Sequence, residues 1–132
     1  MGRKQILVVD DDAMVLDAVR MALTFYGYAV ETASSAAEAL QKLPGACFDV
    51  VVTDLKMPGM IGSALASEIK KRQPALPVIL LTGYPPEVRP AGVDKVLLKP
   101  FSTLDLYNAV VSLAEQGNDK DDLPSPRPSP IA

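Results

Sequence analysis

Four segments of this 132-residue chain place reactive side chains directly after apolar runs. Asp10-Asp11-Asp12 follows Ile6-Leu7-Val8-Val9, and Thr53-Asp54 follows Val50-Val51-Val52. Thr82-Gly83 follows Val78-Ile79-Leu80-Leu81, and Lys99-Pro100 ends the run from Val93 to Leu98. If these runs are strands of one parallel sheet and the first and third are neighbours, Asp10, Asp11 and Asp54 meet in one crevice. Carboxylates a few ångströms apart repel, so they protonate or take up a cation. Mg2+ is the expected ion, with Mn2+ as a substitute, because it uses a few carboxylates and leaves positions for water and phosphate oxygens. Thr82 offers a hydroxyl donor on one side and Lys99 a positive charge on the other. The set describes a pocket for a phosphoryl group held on or near Asp54.

Each residue alone has a plainer role. Asp12 reads better as a helix cap. Asp54 alone is as readily a cap or turn residue, Thr82 a turn former, Lys99 a solvated surface lysine and Pro100 a strand stop. The chemical reading comes from the conjunction, with acid pair, acid, hydroxyl and amine each at the carboxyl end of a different strand.

Strands and helices alternate to supply those ends. Residues 5–9 read as a buried strand, and 13–26 as a helix with Val15, Leu16, Val19, Ala22, Leu23 and Tyr26 inward, capped by Asp11 or Asp12 and ended by Gly27. Residues 29–33 form a more polar strand, and Ser34 or Ser35 caps a helix over 36–43 that ends at Pro44-Gly45. A third strand covers 48–53. A turn at Met57-Pro58-Gly59 leads to a helix over 61–72 with Ile61, Leu65 and Ile69 on one face. Strands over 78–81 and 93–98 follow, then a helix over 103–116 with Leu104, Tyr107, Val110, Val111 and Ala114 inward, stopped by Gly117. The alternation predicts an α/β, doubly wound five-stranded parallel sheet. Strands two and five carry Glu31, Thr32, Asp94 and Lys95, so they belong at the edges, which fits the doubly wound order 2-1-3-4-5. Ligands of such sheets bind beyond the carboxyl ends of the strands at the switch point.

Composition narrows the classes. The chain is 48% apolar and carries a net charge of −3, as expected of one globular domain without the basic surface of a general nucleic-acid binder. Direct nucleic-acid binding is therefore not expected. No apolar run approaches a membrane span and no signal peptide is apparent, so no membrane partner is expected. Cys47 is the only cysteine, which excludes an internal disulfide and predicts a cytoplasmic location with Cys47 as a small, partly buried apolar residue. The chain has no histidine, which excludes His-based triads, His-bearing zinc sites and an internal His-to-acceptor relay. Residues 1–117 are expected to fold. Residues 118–132 read as a Pro-rich tail or linker, since four of the 12 prolines fall in the last nine residues.

With these residues in view, the chain resembles a bacterial two-component response-regulator receiver domain. The resemblance covers about residues 4–116. It rests on the segment from Ile6 to Asp12, the segment from Asp49 to Gly59, Leu80-Leu81-Thr82-Gly83 and Leu98-Lys99-Pro100-Phe101. It implies a flavodoxin-like fold and a switch. Asp54 would accept a phosphoryl group from a phosphohistidine on a histidine kinase or histidine phosphotransfer domain. Asp11 would ligate Mg2+ directly, Asp10 mainly through water, and Asp54 and the Lys56 backbone carbonyl would complete the set. Thr82 and Lys99 would bind phosphoryl oxygens, and the Lys99–Pro100 bond would be cis. Such a module catalyses its own phosphorylation and dephosphorylation without being a conventional turnover enzyme, and switches binding to an unidentified downstream protein.

Two features depart from the family pattern. Val96 stands where an aromatic residue often provides the readout, and a stiff valine lacks that reach. Tyr84 is the aromatic near the site and is expected to shield the phosphoryl group or supply part of the readout. Pro85, Pro86 and Pro90 crowd a short connection, so the family's fourth helix is expected to be reduced or irregular. The chain reads as a stand-alone regulator, a receiver from a larger protein, or the terminal receiver of a hybrid sensor kinase. The competing reading is a phosphorylation-independent interaction module on the same fold. An aspartyl-nucleophile phosphatase needs an acid where Lys56 stands. A nucleotide site lacks its glycine-lysine loop, and three aspartates stand where a flavin loop would need donors.

Overall fold

The computed structural model describes residues 3–57, 59–84 and 90–115. Five strands, β1 (Gln5–Val9), β2 (Ala29–Ala33), β3 (Val50–Asp54), β4 (Val78–Thr82) and β5 (Lys95–Leu98), form one sheet in the order β2-β1-β3-β4-β5. All adjacent pairs are parallel. Four α-helices lie among the described residues: α1 (Ala13–Phe25), α2 (Ala36–Lys42), α3 (Gly62–Arg72) and α4 (Thr103–Ala114).

Strand alternation divides the apolar side chains between two layers. Leu7, Val9, Val51, Val78 and Leu80 face α2 and α3, where Ala36, Ala39, Leu65, Ala66 and Ile69 meet them. Ile6, Val8, Val50, Val52, Ile79 and Leu81 face α1 and α4, against Val19, Leu23, Leu106, Ala109 and Val110. Residues on β1, β3 and β4 are buried almost without interruption, while β2 and β5 are only partly covered. Central strands are apolar on both faces because helices cover both, and the mixed strands fall at the edges as expected.

The helix signals act as read. The Asp12 side chain accepts from the Met14 and Val15 N–H groups, and Gly27 follows α1 with φ +97°, a region open to glycine. Ser35 caps α2. Ser102 and Asp105 form a reciprocal capping box at α4.

Several expectations are corrected. Residues 43–45 form a 3-10 turn, β3 begins at Val50 and β5 at Lys95. Cys47 is exposed rather than partly buried. Ile61 is the N-cap of α3 and is exposed, leaving Leu65 and Ile69 to the core. Leu104, in the first turn of α4, is exposed, and Leu106 and Ala109 are buried in its place, while Val110 and Ala114 are buried and Tyr107 and Val111 pack against the core as expected. The expected shortening between β4 and β5 falls partly on residues 85–89, outside the described residues. The flanks at 83–84 and 90–94 contain bends and turns, and none of the helices described lies there. Gly117 and the tail over 118–132 also lie outside the described residues. Among the described residues no helix is long and apolar enough to cross a membrane.

Candidate functional site

Register brings the acidic residues together. Val9 pairs with Thr53 across β1 and β3, so Asp10 and Asp54 leave the sheet side by side. By alternation both follow the residues facing α1 and α4. Carboxylate oxygens of Asp10, Asp11 and Asp54 all lie within 4.8 Å of one another. Asp10 and Asp54 are buried, at 2% and 7% exposure, while Asp11 is open to solvent.

The two sides of the Asp10 carboxylate differ. Oδ1 accepts from the Asp12 N–H at 2.9 Å. Oδ2 is buried and has no hydrogen-bond partner, a costly state for a charged oxygen. Burial pushes the Asp10 carboxyl up to about 6; the Asp54 and Asp11 charges push the same way, and the Asp12 N–H and Lys99 oppose them. A cation placed among these oxygens would supply the missing partner and oppose the repulsion. The donor set therefore fits a hard divalent ion, with all-oxygen ligands.

Lys99 completes the pocket from β5. Its ammonium donates to Asp54 Oδ1 at 2.5 Å, so it is an ion-pair partner rather than a free surface lysine. The backbone places it there, since Lys99 N–H donates to the Thr82 carbonyl at 2.8 Å. The Lys99–Pro100 bond is cis, as expected.

Thr82 sits at the end of β4 and is buried, but its hydroxyl is engaged elsewhere. It donates to the Tyr84 carbonyl at 3.3 Å and accepts from the Tyr84 N–H at 3.2 Å. Strand alternation also groups Thr82 with Val78 and Leu80 on the α2/α3 side. Four of the expected side chains, Asp10, Asp11, Asp54 and Lys99, thus form one cluster, with Thr82 beside it and locally satisfied. Lys56 is exposed, and its ammonium lies 5.7 Å from the centre of the Tyr84 ring, within cation–π range. Tyr84 itself is 72% exposed. Val96 packs against the α2/α3 core.

One residue at the site was not singled out from the sequence. Gly62 opens α3 against the backbone of Asp54 and Leu55. Its signal was there to read, as a glycine where the first helical residue follows an apolar Ile61 instead of a capping side chain.

A model of the response regulator receiver domain family matches residues 6–111. The transcriptional regulatory protein GlrR of Escherichia coli is 42% identical over 116 residues, 84% of this chain and 26% of that protein. ResD of Bacillus subtilis is 34% identical over 119 residues, 86% of this chain and 49% of that protein. The chain thus spans about a quarter to a half of the length of these relatives. Among solved structures, a CheY-like receiver domain protein from Methanospirillum hungatei superposes with a TM-score of 0.84 at 32% identity, covering 90% of this chain and 99% of that one. The response regulator TrrA of Thermotoga maritima, solved in complex with Mg(2+)-BeF, gives a TM-score of 0.78 at 34% identity, covering 83% and 98%.

Proposed function

This chain belongs to the response regulator receiver domain family, the phosphoacceptor modules of two-component signalling, and from that premise we propose that Asp54 is its phosphoacceptor. The donor is a phosphohistidine on a histidine kinase or histidine phosphotransfer domain, in keeping with a chain that has no histidine. The observation that carries this reading is the convergence of three carboxylates, one of them with a buried oxygen that has no hydrogen-bond partner, with Lys99 paired to Asp54.

Asp10, Asp11, Asp54 and the Lys56 carbonyl would hold Mg2+, which when bound supplies positive charge to offset that of the phosphoryl oxygens. The relative TrrA, whose structure contains Mg(2+)-BeF, supports this assignment. The remaining roles belong to the chain. An Asp54 carboxylate oxygen forms the new P–O bond as the P–N bond to the partner's imidazole breaks, and the imidazole leaves. Lys99 transfers its hydrogen bond from the carboxylate to a phosphoryl oxygen. Thr82 exchanges the Tyr84 carbonyl for another phosphoryl oxygen. The repositioned Thr82–Tyr84 segment then alters the surface that a downstream protein reads, with Tyr84 taking the part closed to Val96.

Residues 1–117 form this receiver unit and 118–132 a tail or linker; the last turn of α4 ends at Ala114, just past the family match. The unit works in the cytoplasm, alone or within a longer regulator or hybrid kinase, and acts through protein contacts rather than by binding nucleic acid itself. Mass spectrometry after incubation with acetyl phosphate and Mg2+ tests the assignment. A gain of one phosphoryl group that disappears in Asp54→Ala is expected. No gain in the parent chain would leave a phosphorylation-independent interaction module.

A further inference from the structure

The connection from β3 to α3 brings the helix back onto the strand it has just left. Gly62 is the first residue of α3, and its N–H donates to the Leu55 carbonyl at 2.8 Å. Ile61 provides no side-chain cap, so this backbone bond satisfies one of the helix's orphan donors. The approach is close. A β-carbon on Gly62 would overlap the Asp54 carbonyl oxygen and lie 3.0 Å from both the Asp54 carbonyl carbon and Leu55 Cα. All three atoms are main chain, so none can rotate away as a side-chain end would. The opposite side is fixed as well, because Leu55 N–H donates to the Leu81 carbonyl at 2.9 Å and Asp54 pairs with Leu81 across β4. By contrast, a β-carbon at Gly45 meets nothing within 4 Å.

We infer that Gly62 is a positioning residue for Asp54: its missing side chain lets α3 seat directly on the Asp54–Leu55 backbone and keeps the Asp54 carboxylate and the Lys56 carbonyl aligned with Asp10. The inference rests on Asp54 being the phosphoacceptor. A side chain here must displace main chain, and a misplacement of about 1 Å at a reacting group costs on the order of a hundredfold in rate.

The test compares Gly62→Ala with Gly45→Ala in the 132-residue chain. Phosphoryl uptake from acetyl phosphate is followed as a function of donor concentration. Mg2+ titration and amide NMR spectra report on the pocket, and thermal melting reports on the fold. Gly62→Ala is expected to lower the maximal uptake rate by roughly thirtyfold or more, with the half-saturating donor concentration unchanged. The amides of residues 54–56 should shift, and Mg2+ binding should weaken several-fold. Gly45→Ala should stay within about twofold of the parent rate, because nothing reacting moves. If Gly62→Ala is unfolded in buffer, the assays are run in trimethylamine N-oxide, which favours the compact state, and rates are taken per folded molecule. A rate within twofold of the parent, with the 54–56 amides unmoved, overturns the inference. If the parent chain takes up no phosphoryl group, the Asp54 reading falls separately; amides that stay in place with unchanged Mg2+ affinity would then overturn the Gly62 role, and displaced amides would uphold it.

Discussion

The two halves of the pocket are built on opposite principles. On the β1–β3 side, buried Asp10 and Asp54 are held against each other, and one Asp10 oxygen lacks any partner. On the β4–β5 side the two polar side chains of the pocket are satisfied, Thr82 by the Tyr84 backbone and Lys99 by Asp54. Like charges do not assemble by themselves, so the fold must impose the acid half in advance, through β1–β3 register and core packing. A hydroxyl and an ammonium need no such enforcement and can change partners when charge arrives. The pocket thus has a fixed half that creates demand for positive charge and an adaptable half that responds to added negative charge.

This contrast can be broken at four points, in decreasing order of effect. Asp54→Ala should abolish phosphoryl uptake by intact-mass measurement while the chain still melts cooperatively. Asp10→Asn should weaken Mg2+ binding on the order of a hundredfold in titration calorimetry. The same change should stabilise the metal-free protein by about 1–2 kcal/mol, because it removes a charge the fold disfavours. Its pH signature follows from the raised Asp10 carboxyl, near 6 in the fold against a usual 3.8. Between about pH 4 and 6 the unfolded chain loses this proton before the native one does, so Asp10 makes stability fall as pH rises through that window. Below it both states hold the proton and the penalty vanishes. Denaturant melts without metal should show that slope in the parent chain and not in Asp10→Asn.

On the adaptable side, Lys99→Ala should slow uptake by about a hundredfold in the acetyl phosphate assay, the loss typical of one preorganised donor. Tyr84→Ala should do least. It frees the Lys56 ammonium from a contact of about 0.5–1 kcal/mol, so the lifetime of the phosphorylated form should change by only a few-fold. An unchanged lifetime together with unchanged partner binding would remove Tyr84 from the readout. An effect of Tyr84→Ala on Mg2+ affinity comparable to that of Asp10→Asn would erase the distinction between the halves.

What could be read from the sequence follows the same division. Asp10, Asp11, Asp54 and Lys99 were legible because each ends an apolar run, and period-two burial then dictates where it emerges. The two edge strands were legible because Glu31 and Thr32 on β2 and Lys95 on β5 contrast with the continuous apolar runs of β1, β3 and β4. The exposed Leu104 and buried Leu106 were not legible, since spacing alone places a first-turn residue on the apolar stripe whether or not the core reaches that far along the helix. The Thr82 hydroxyl was placed at the right strand end, but its hold on the Tyr84 backbone is a local turn bond that no spacing announces. The Lys56–Tyr84 contact joins two loops and depends on their tertiary approach. The role of Gly62 is not legible from spacing, because it rests on the close approach of α3 to the Asp54 and Leu55 backbone rather than on a turn dihedral.

Because all five strands run the same way, every connection that contributes to the pocket lies at one end of the sheet. The returns through Pro44-Gly45 and Gln73–Pro77 lie at the other. Cutting and rejoining the polypeptide there, as in a circular permutant opened at Gly45, would change the order in which Asp10, Asp54, Thr82 and Lys99 are synthesised without touching any of their neighbours in space.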